Sequence, residues 1–291
     1  MSGERTYWRG TFNQWQLGLG GHINVQHYAQ ALDEARQAAA TAHGVTPDLL
    51  RDAGQTVRPV VDRIDFRREL VPGDSVTLDG VVCRAAGGQA LLNGAVQTCP
   101  GAVRAMRFET GFAVQTVESR ETRDWPGSAL PKADPLRAMR PMMDPWMPDH
   151  TPDDAWTTWY GTVEVRDCDR TGLQSPRGLY DIITRGLWAV HIRLGRHRDR
   201  MSATGTAGGV TAIQVRYGRP ARMGDLLECR TVLLGIGANS LRMGHLIRDV
   251  TDGVTVARVE YVNTFFSRRT GSKSPPDADY LEGLLPIRLP G

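Results

Sequence analysis

At 291 residues the chain exceeds one average domain and suits two packed units of roughly 130 residues each. Hydrophobic residues make up 41% of it and charged residues 23%, and 35 basic against 32 acidic side chains leave a net charge of +3, a balance that points to neither nucleic acid nor a membrane surface as partner. No run approaches the ~20 apolar residues of a membrane span, and Met1-Ser2-Gly3-Glu4-Arg5 lacks the apolar stretch of a secretory signal, so a cytoplasmic protein is expected. Cys83, Cys99, Cys168 and Cys229 are scattered without a CxxC pair, which fits reduced thiols, and no metal is implied.

The chain repeats itself. Trp8-Arg9-Gly10-Thr11 recurs as Trp159-Tyr160-Gly161-Thr162, an offset of 151, and the same offset carries Gly21 onto Gly172, Phe66 onto Tyr217 and Gly73-Asp74 onto Gly224-Asp225. Each copy opens with a short strand and a turn rich in Gly or Asp, followed by one helix. In the first copy Val25, Tyr28, Ala29, Leu32, Ala35 and Ala39 recur at helical spacing; in the second, Leu179, Ile182, Ile183, Gly186, Leu187 and Val190 do so. Strands follow: Ile64 to Asp74 and Val215 to Asp225 alternate into Gly-Asp turns, Gly87-Gly88 and Gly235 to Gly237 mark later turns, and Ala102 to Val114 and Val254 to Phe266 supply the last strand of each copy. One helix against an antiparallel sheet is an α+β layout.

We read residues 1–117 as the first repeat, 118–154 as a linker and 155–291 as the second repeat. Seven prolines between Pro126 and Pro152 exclude a regular helix or central strand from the linker. It is long enough to cross the molecule, so the copies are expected side by side as one pseudodimer, replacing the usual homodimer; further association of pseudodimers into a homo-oligomer is possible.

The second helix begins at Ser175-Pro176, an N-cap followed by proline at the first helical position, and Asn24 stands at the same place in the first copy. A helix start gathers unpaired backbone N–H groups and the positive end of the dipole, which suits it to a carbonyl oxygen that gains negative charge.

Gly21-His22-Ile23-Asn24 with Tyr28, and Asp167-Cys168-Asp169-Arg170-Thr171-Gly172, give the chain its resemblance to the 4-hydroxybenzoyl-CoA thioesterase-like family of hotdog enzymes. The likeness spans both copies, about four-fifths of the chain. It implies two fused hotdog repeats, each a long helix packed on an antiparallel sheet, acting on an acyl thioester. It also implies that Asp169 matches the family's catalytic carboxylate, attacking the thioester carbonyl or activating a water. His22 and Asn24 are the further catalytic candidates; Gly21, Gly172, Ser175 and Arg177 are the expected substrate-binding positions.

Each copy departs from the family pattern. The offset places Gly18 where the second copy has Asp169, so the first copy lacks the carboxylate; Leu173 and Ser175 replace the histidine and asparagine in the second. In relatives with the Asp-Cys-Asp turn, the amide seven residues after the carboxylate polarises the thioester carbonyl. Here that residue is Pro176, which has no N–H, so the amide of Ser175 or Arg177 must substitute, or the carbonyl must shift.

Weaker candidates are Asp167; Glu34, more simply a solvated helix residue; and Trp188 and His191, more simply core. Arg67-Arg68, Arg216, Arg219 and Arg222 lie around equivalent turns and could meet phosphates of coenzyme A or a pantetheine arm, as could Arg193, Arg196, His197, Arg198 and Arg200. No glycine-rich nucleotide motif is present, so no cofactor is expected beyond the coenzyme A or phosphopantetheine of the substrate. The leading function is hydrolysis of an acyl-CoA or acyl-carrier-protein thioester between the two helices, at one competent pseudo-site. The alternatives are a non-hydrolytic acyl-thioester enzyme, such as a dehydratase or acyltransferase, and a non-catalytic acyl-binding module.

Overall fold

The computed structural model describes residues 4–18, 23–85, 88–123, 125, 130–131, 151–195 and 205–289. The first repeat contributes β1 (Arg5–Thr11), α1 (Val25–Ala42), α2 (Pro47–Asp52), β2 (Gln55–Phe66), β3 (Ser75–Arg84), β4 (Ala90–Thr98) and β5 (Arg104–Thr116), followed by the two-residue β6 (Thr122–Arg123). The second contributes β7 (Trp156–Thr162), α3 (Pro176–Arg193), β8 (Thr206–Tyr217), β9 (Leu226–Gly237), β10 (Ser240–Asp249), β11 (Thr255–Ser267) and α4 (Ala278–Leu284). Adding 151 to the bounds of β1, α1, β2 and β5 gives those of β7, α3, β8 and β11, so the sequence repeat is a repeat of structure.

The strands form one antiparallel sheet in the order β1-β3-β4-β5-β2-β8-β11-β10-β9-β7, with β6 on β5. Read from either end the order is the same under the offset. The repeats join where β2 pairs with β8: Asp62 faces Val215, Arg63 faces Gln214 and Ile64 faces Ile213. Because Arg63 and Gln214 differ by 151, a pseudo-twofold axis passes between them. A fused pair of hotdog repeats closes its sheet in this isologous way, as a homodimer would across its interface.

The helices form where the sequence pattern places them. Tyr28, Ala29, Leu32, Ala35 and Ala39 of α1 are buried against the sheet, as are Leu179, Ile182, Ile183, Gly186 and Val190 of α3. Gly44 and Gly195, at φ of +86° and +67°, end them in the left-handed conformation that glycine adopts without penalty. Thr184 Oγ1 of α3 donates to Asn24 Oδ1 at 3.3 Å, and the helices pack together, so both lie on one face of the sheet. The short α2 and α4 exceed the expected single helix per repeat. The caps Thr46 and Asp277 start each one, and neither is long enough to show an apolar period.

The start of the predicted linker lies on the first repeat. Trp125 is buried there, its ring edge-on to Phe112 at 5.3 Å and its amide donating to Gly88 O at 2.8 Å. Residues 132–150 lie outside the described residues.

Candidate active site

After β7 a single 3-10 turn, Val165–Asp167, leads into the loop that carries Asp169. A bridge between Cys168 and Gln174 pinches the loop shut. Within it Asp169 N donates to Leu173 O at 2.9 Å, and Gly172, at φ +76°, returns its amide to Asp169 O at 3.1 Å. Asp169 Oδ1 accepts from Thr171 N at 2.8 Å and from Thr171 Oγ1 at 2.5 Å, the side-chain turn that aspartate makes with the backbone two residues on.

The other carboxylate oxygen reaches across the repeats. Arg58 Nη1, from β2, donates to Asp169 Oδ2 at 2.9 Å, and Arg58 Nη2 donates to Gln174 O, so one guanidinium grips both ends of the loop. Arg58 is buried while Asp169 keeps about a quarter of its side chain exposed. Burial lowers the Arg58 pKa, opposed chiefly by the Asp169 charge.

At the start of α3, Ser175 caps the helix: its Oγ accepts from Gly178 N at 3.1 Å and donates to Asp167 O at 2.9 Å. Ser175 N donates to the same Asp167 carbonyl at 2.7 Å. Of the two amides that the sequence offered in place of Pro176, that of Ser175 is therefore engaged by the turn. Arg177, exposed at the second helical position, carries the other.

Asn24 occupies the equivalent cap of α1, accepting from Gln26 N at 3.5 Å. The contact with Thr184 sets it nine residues along α3 from Ser175, which is about 14 Å at the helical rise. Asn24 and Asp169 thus belong to different pseudo-sites, and the fold does not bring them together. His22 and Gly21 lie outside the described residues. Close to Asn24, His27 is buried beside the Trp15 ring, edge-on at 5.4 Å; burial first, and the nearby Arg177 charge second, lower its pKa.

Two cavities meet at Arg58. The smaller, about 70 Å³, lies at the α3 N-terminus between Ser175, Pro176 and Leu179 on one side and Pro59, Tyr217 and Pro220 on the other. The larger, about 420 Å³, has the Asp169-Arg170 turn at one end, Asp33, Gln37 and Thr41 of α1 along one wall, and Val45, Pro47 and Leu50 of the α2 region beyond. Its volume is within the range that holds small organic ligands. Asp33 Oδ1 accepts from Arg36 Nη2 at 3.2 Å. Burial raises the Asp33 pKa, against the lowering charges of Arg36 and Arg58.

Beneath this cavity runs a polar cluster in the core. Asp62, fully buried, accepts from Arg36 Nη1 at 2.9 Å, Thr110 Oγ1 at 2.6 Å, Tyr217 Oη at 2.5 Å and Tyr180 Oη at 3.5 Å. Arg36 is fully buried too and also donates to Thr110 Oγ1 at 2.8 Å. Burial raises the pKa of both tyrosines, with Asp62 adding to it. Sequence reasoning missed Asp33, Arg36, Arg58 and Asp62. The signal was in the offset: it places Thr184, Leu187, Gly209 and Ile213 at their positions, so a full set of charges in one copy has no counterpart in the other.

The weaker candidates resolve into structural contacts. Asp167 Oδ2 accepts from Glu164 N at 3.3 Å. Glu34 is exposed and receives the Trp8 indole N–H at 2.6 Å. His191 stacks on Tyr280 of α4, with Nδ1 and Tyr280 Oη 3.0 Å apart, and Trp188 lies beside it. Arg219 pairs with Asp249 at 3.0 Å and Asp252 at 2.6 Å, Arg222 donates to the Glu118 carbonyl at 2.6 Å, and Arg67 pairs with Asp65 at 2.9 Å. Arg216 lies on β8 opposite Val61, and Arg193 lies 4.2 Å over the Trp156 ring. Arg196, His197, Arg198 and Arg200 lie outside the described residues.

Residues 165–284 match the thioesterase-like superfamily, and residues 20–88 match the thioesterase superfamily. The chain belongs to the thioesterase superfamily. The two matches fall one on each repeat, and the expectation of an acyl-thioester hydrolase agrees with this membership. Among solved structures, a thioesterase from Lactobacillus plantarum, provisionally assigned as oleoyl, is 13% identical, with 95% of this chain and 98% of that one covered at a TM-score of 0.70. An acyl-ACP thioesterase from Bacteroides thetaiotaomicron is 12% identical, with 90% and 97% covered at 0.64; the 12:0-ACP thioesterase from Umbellularia californica is 12% identical, with 89% and 95% covered at 0.64. These likenesses establish the tandem-hotdog fold along nearly the whole of this thioesterase. No curated protein matches its sequence. Among the described residues, no helix is long and apolar enough to cross a membrane, and no group of three or more His, Cys, Asp or Glu is placed to hold a metal ion.

Proposed function

We propose that this thioesterase hydrolyses an acyl-CoA or acyl-carrier-protein thioester at the site formed by the Asp169 loop, the α3 N-terminus and Arg58, with no cofactor beyond the thiol carrier of the substrate. The observation that carries this reading is the Asp169 loop itself, fixed by Arg58 at the end of a cavity of about 420 Å³ in a thioesterase-superfamily fold. Solved structures with the same tandem fold are named as acyl-ACP thioesterases, which supports a carrier-linked acyl chain as substrate.

In this reading the thioester carbonyl lies at the start of α3, where the Arg177 amide and the positive end of the helix dipole stabilise its oxygen as charge develops. Gly172 and Ser175 hold the turn and the cap around it. Asp169 acts by orienting water rather than by forming a covalent acyl intermediate. Acylation would neutralise Asp169 and leave the buried Arg58 without that counter-charge, a costly arrangement at this depth. The equivalent site of the first repeat, with Gly18 and Gly209 in place of Asp169 and Arg58, lacks this machinery; Asn24 there serves the helix cap, and His22 is not assigned to turnover. The four free cysteines suit a reducing compartment such as the cytoplasm.

The test is free-thiol release from a panel of acyl-CoA and acyl-carrier-protein thioesters by wild type, Asp169→Asn and His22→Ala. Turnover by wild type with a fall of about 10²-fold or more in Asp169→Asn is expected. Unchanged turnover in Asp169→Asn rejects the site. Conversion of the acyl chain without thiol release indicates a non-hydrolytic enzyme, and binding without conversion indicates an acyl-binding module.

A further inference from the structure

The hydrolase reading leaves one proton unassigned. A water that attacks an acyl carbon must lose a proton to a base, and the oxygens of Asp169 already receive three donors, two from Thr171 and one from Arg58. A second carboxylate faces the same cavity from the other repeat. Asp33, on α1, lines it together with Asp169 and Arg58, and its Oδ2 has no hydrogen-bond partner among the described residues. On that basis, and resting on the hydrolase reading, we propose that Asp33 is the general base of the site, with Arg58 as the positioning residue set between the two carboxylates.

Three observations bear on this. Asp33 and Asp169 reach the cavity from different repeats, and the buried Arg58 guanidinium both lines that cavity and pairs with Asp169. The chain also contains its own comparison. At the pseudo-equivalent site all three charges are lost together, to Thr184, Gly209 and Gly18, as expected of groups that work as a unit. Finally, the charges facing Asp33 are accounted for from each side: Arg36 on its own helix, Arg58 and Asp62 on β2, and Asp169 and Arg170 on the loop. Burial outweighs the two arginines and raises the Asp33 pKa, which brings a carboxylate nearer the basicity useful for proton transfer.

In the proposed step, the Asp33 carboxylate takes one proton from water while the water oxygen bonds to the thioester carbon. The C–S bond then breaks, and the proton passes from Asp33 to the departing thiolate. The products are the acyl acid and a free thiol, and Asp33 returns to its carboxylate form.

The experiment is thiol release from octanoyl-CoA, benzoyl-CoA and their acyl-carrier-protein counterparts between pH 5 and 9, using wild type, Asp33→Asn, Arg58→Lys and Arg58→Gln, with thermal melts alongside. For Asp33→Asn the expected result is a loss of about 10²-fold or more in kcat, little change in KM, and disappearance of the acid limb of the pH profile. Arg58→Lys, which keeps the charge but not the two-point grip, should lose kcat at near-constant KM. Arg58→Gln should move the acid limb to higher pH, because the Arg58 charge holds the Asp33 pKa down. Wild-type turnover with Asp33→Asn inside threefold of it, or with an unmoved acid limb, overturns the Asp33 assignment alone. No thiol release by wild type from any probe overturns the hydrolase reading and this assignment with it.

Discussion

Arg58 and Asp169 are 111 residues apart in the chain, in different repeats, yet Nη1 of one lies 2.9 Å from Oδ2 of the other. Each repeat supplies half of the contact, so the site exists only when the pseudodimer is assembled. The remaining hold on Asp169 is local and comes from Thr171. Thr171→Val removes the hydroxyl donor while leaving the amide, and a drop of about tenfold in kcat/KM is expected, equivalent to ~1.4 kcal/mol. Steady-state thiol release measures it; unchanged kcat/KM would show that the carboxylate needs no such restraint.

The loop also depends on a close approach of backbone to helix. A Cβ on Gly178 would sit 2.4 Å from Asp167 O, a backbone atom that cannot move without shifting the turn. Gly178→Ala is expected to cost about 1–3 kcal/mol and to lower turnover by displacing Asp169. Gly172→Ala meets no neighbouring atom, but its φ of +76° makes a side chain cost about 1–2 kcal/mol. Urea denaturation of both variants gives the two costs. A Gly178→Ala enzyme with full activity would contradict the tight packing.

The Arg36–Asp62 pair, with neither side chain exposed, makes the seam between repeats sensitive to the loss of either partner alone. Asp62→Leu leaves the buried Arg36 charge poorly compensated and removes the acceptor of Tyr217, for an expected loss of about 3–5 kcal/mol. The double variant Arg36→Leu, Asp62→Leu should recover much of that. Denaturation midpoints of Asp62→Leu, Arg36→Leu and the double variant decide the point: if the double variant is as unstable as the sum of the two single ones, the pair is not coupled.

His245 sets a pH dependence of stability. Its ring is fully buried, Nδ1 lies 2.7 Å from Thr231 Oγ1, and burial depresses its pKa to about 3. The unfolded chain takes up this proton near the ordinary value of about 6.5, before the folded protein does. Stability from this group is therefore complete above about pH 6.5 and falls as pH drops toward 3, by up to about 5 kcal/mol. Replacing His245 by Gln should flatten the slope of melting temperature against pH in that window. An unchanged slope would show that other groups set it.

The architecture was legible before any coordinates. Trp8 and Trp159, Gly21 and Gly172, and the paired Gly-Asp turns fix an offset that the strands and helices follow, because each repeat must bury the same helix stripe on the same sheet. The caps Asn24 and Ser175 were equally clear, since capping is a contact with residues two or three positions away. The short α2 was not, because one and a half turns are too few for periodicity to register.

By itself the sequence determined the two repeats, the helix starts and the loss of the carboxylate at Gly18. Tertiary structure decided which groups meet. It separated Asn24 from Asp169 by the stagger of two packed helices, and it brought Arg58, Asp33 and Asp62 toward a loop more than a hundred residues away. Local pattern reports on neighbours along the chain, whereas the site is built across the pseudo-twofold seam, where pairing of β2 with β8 chooses the partners.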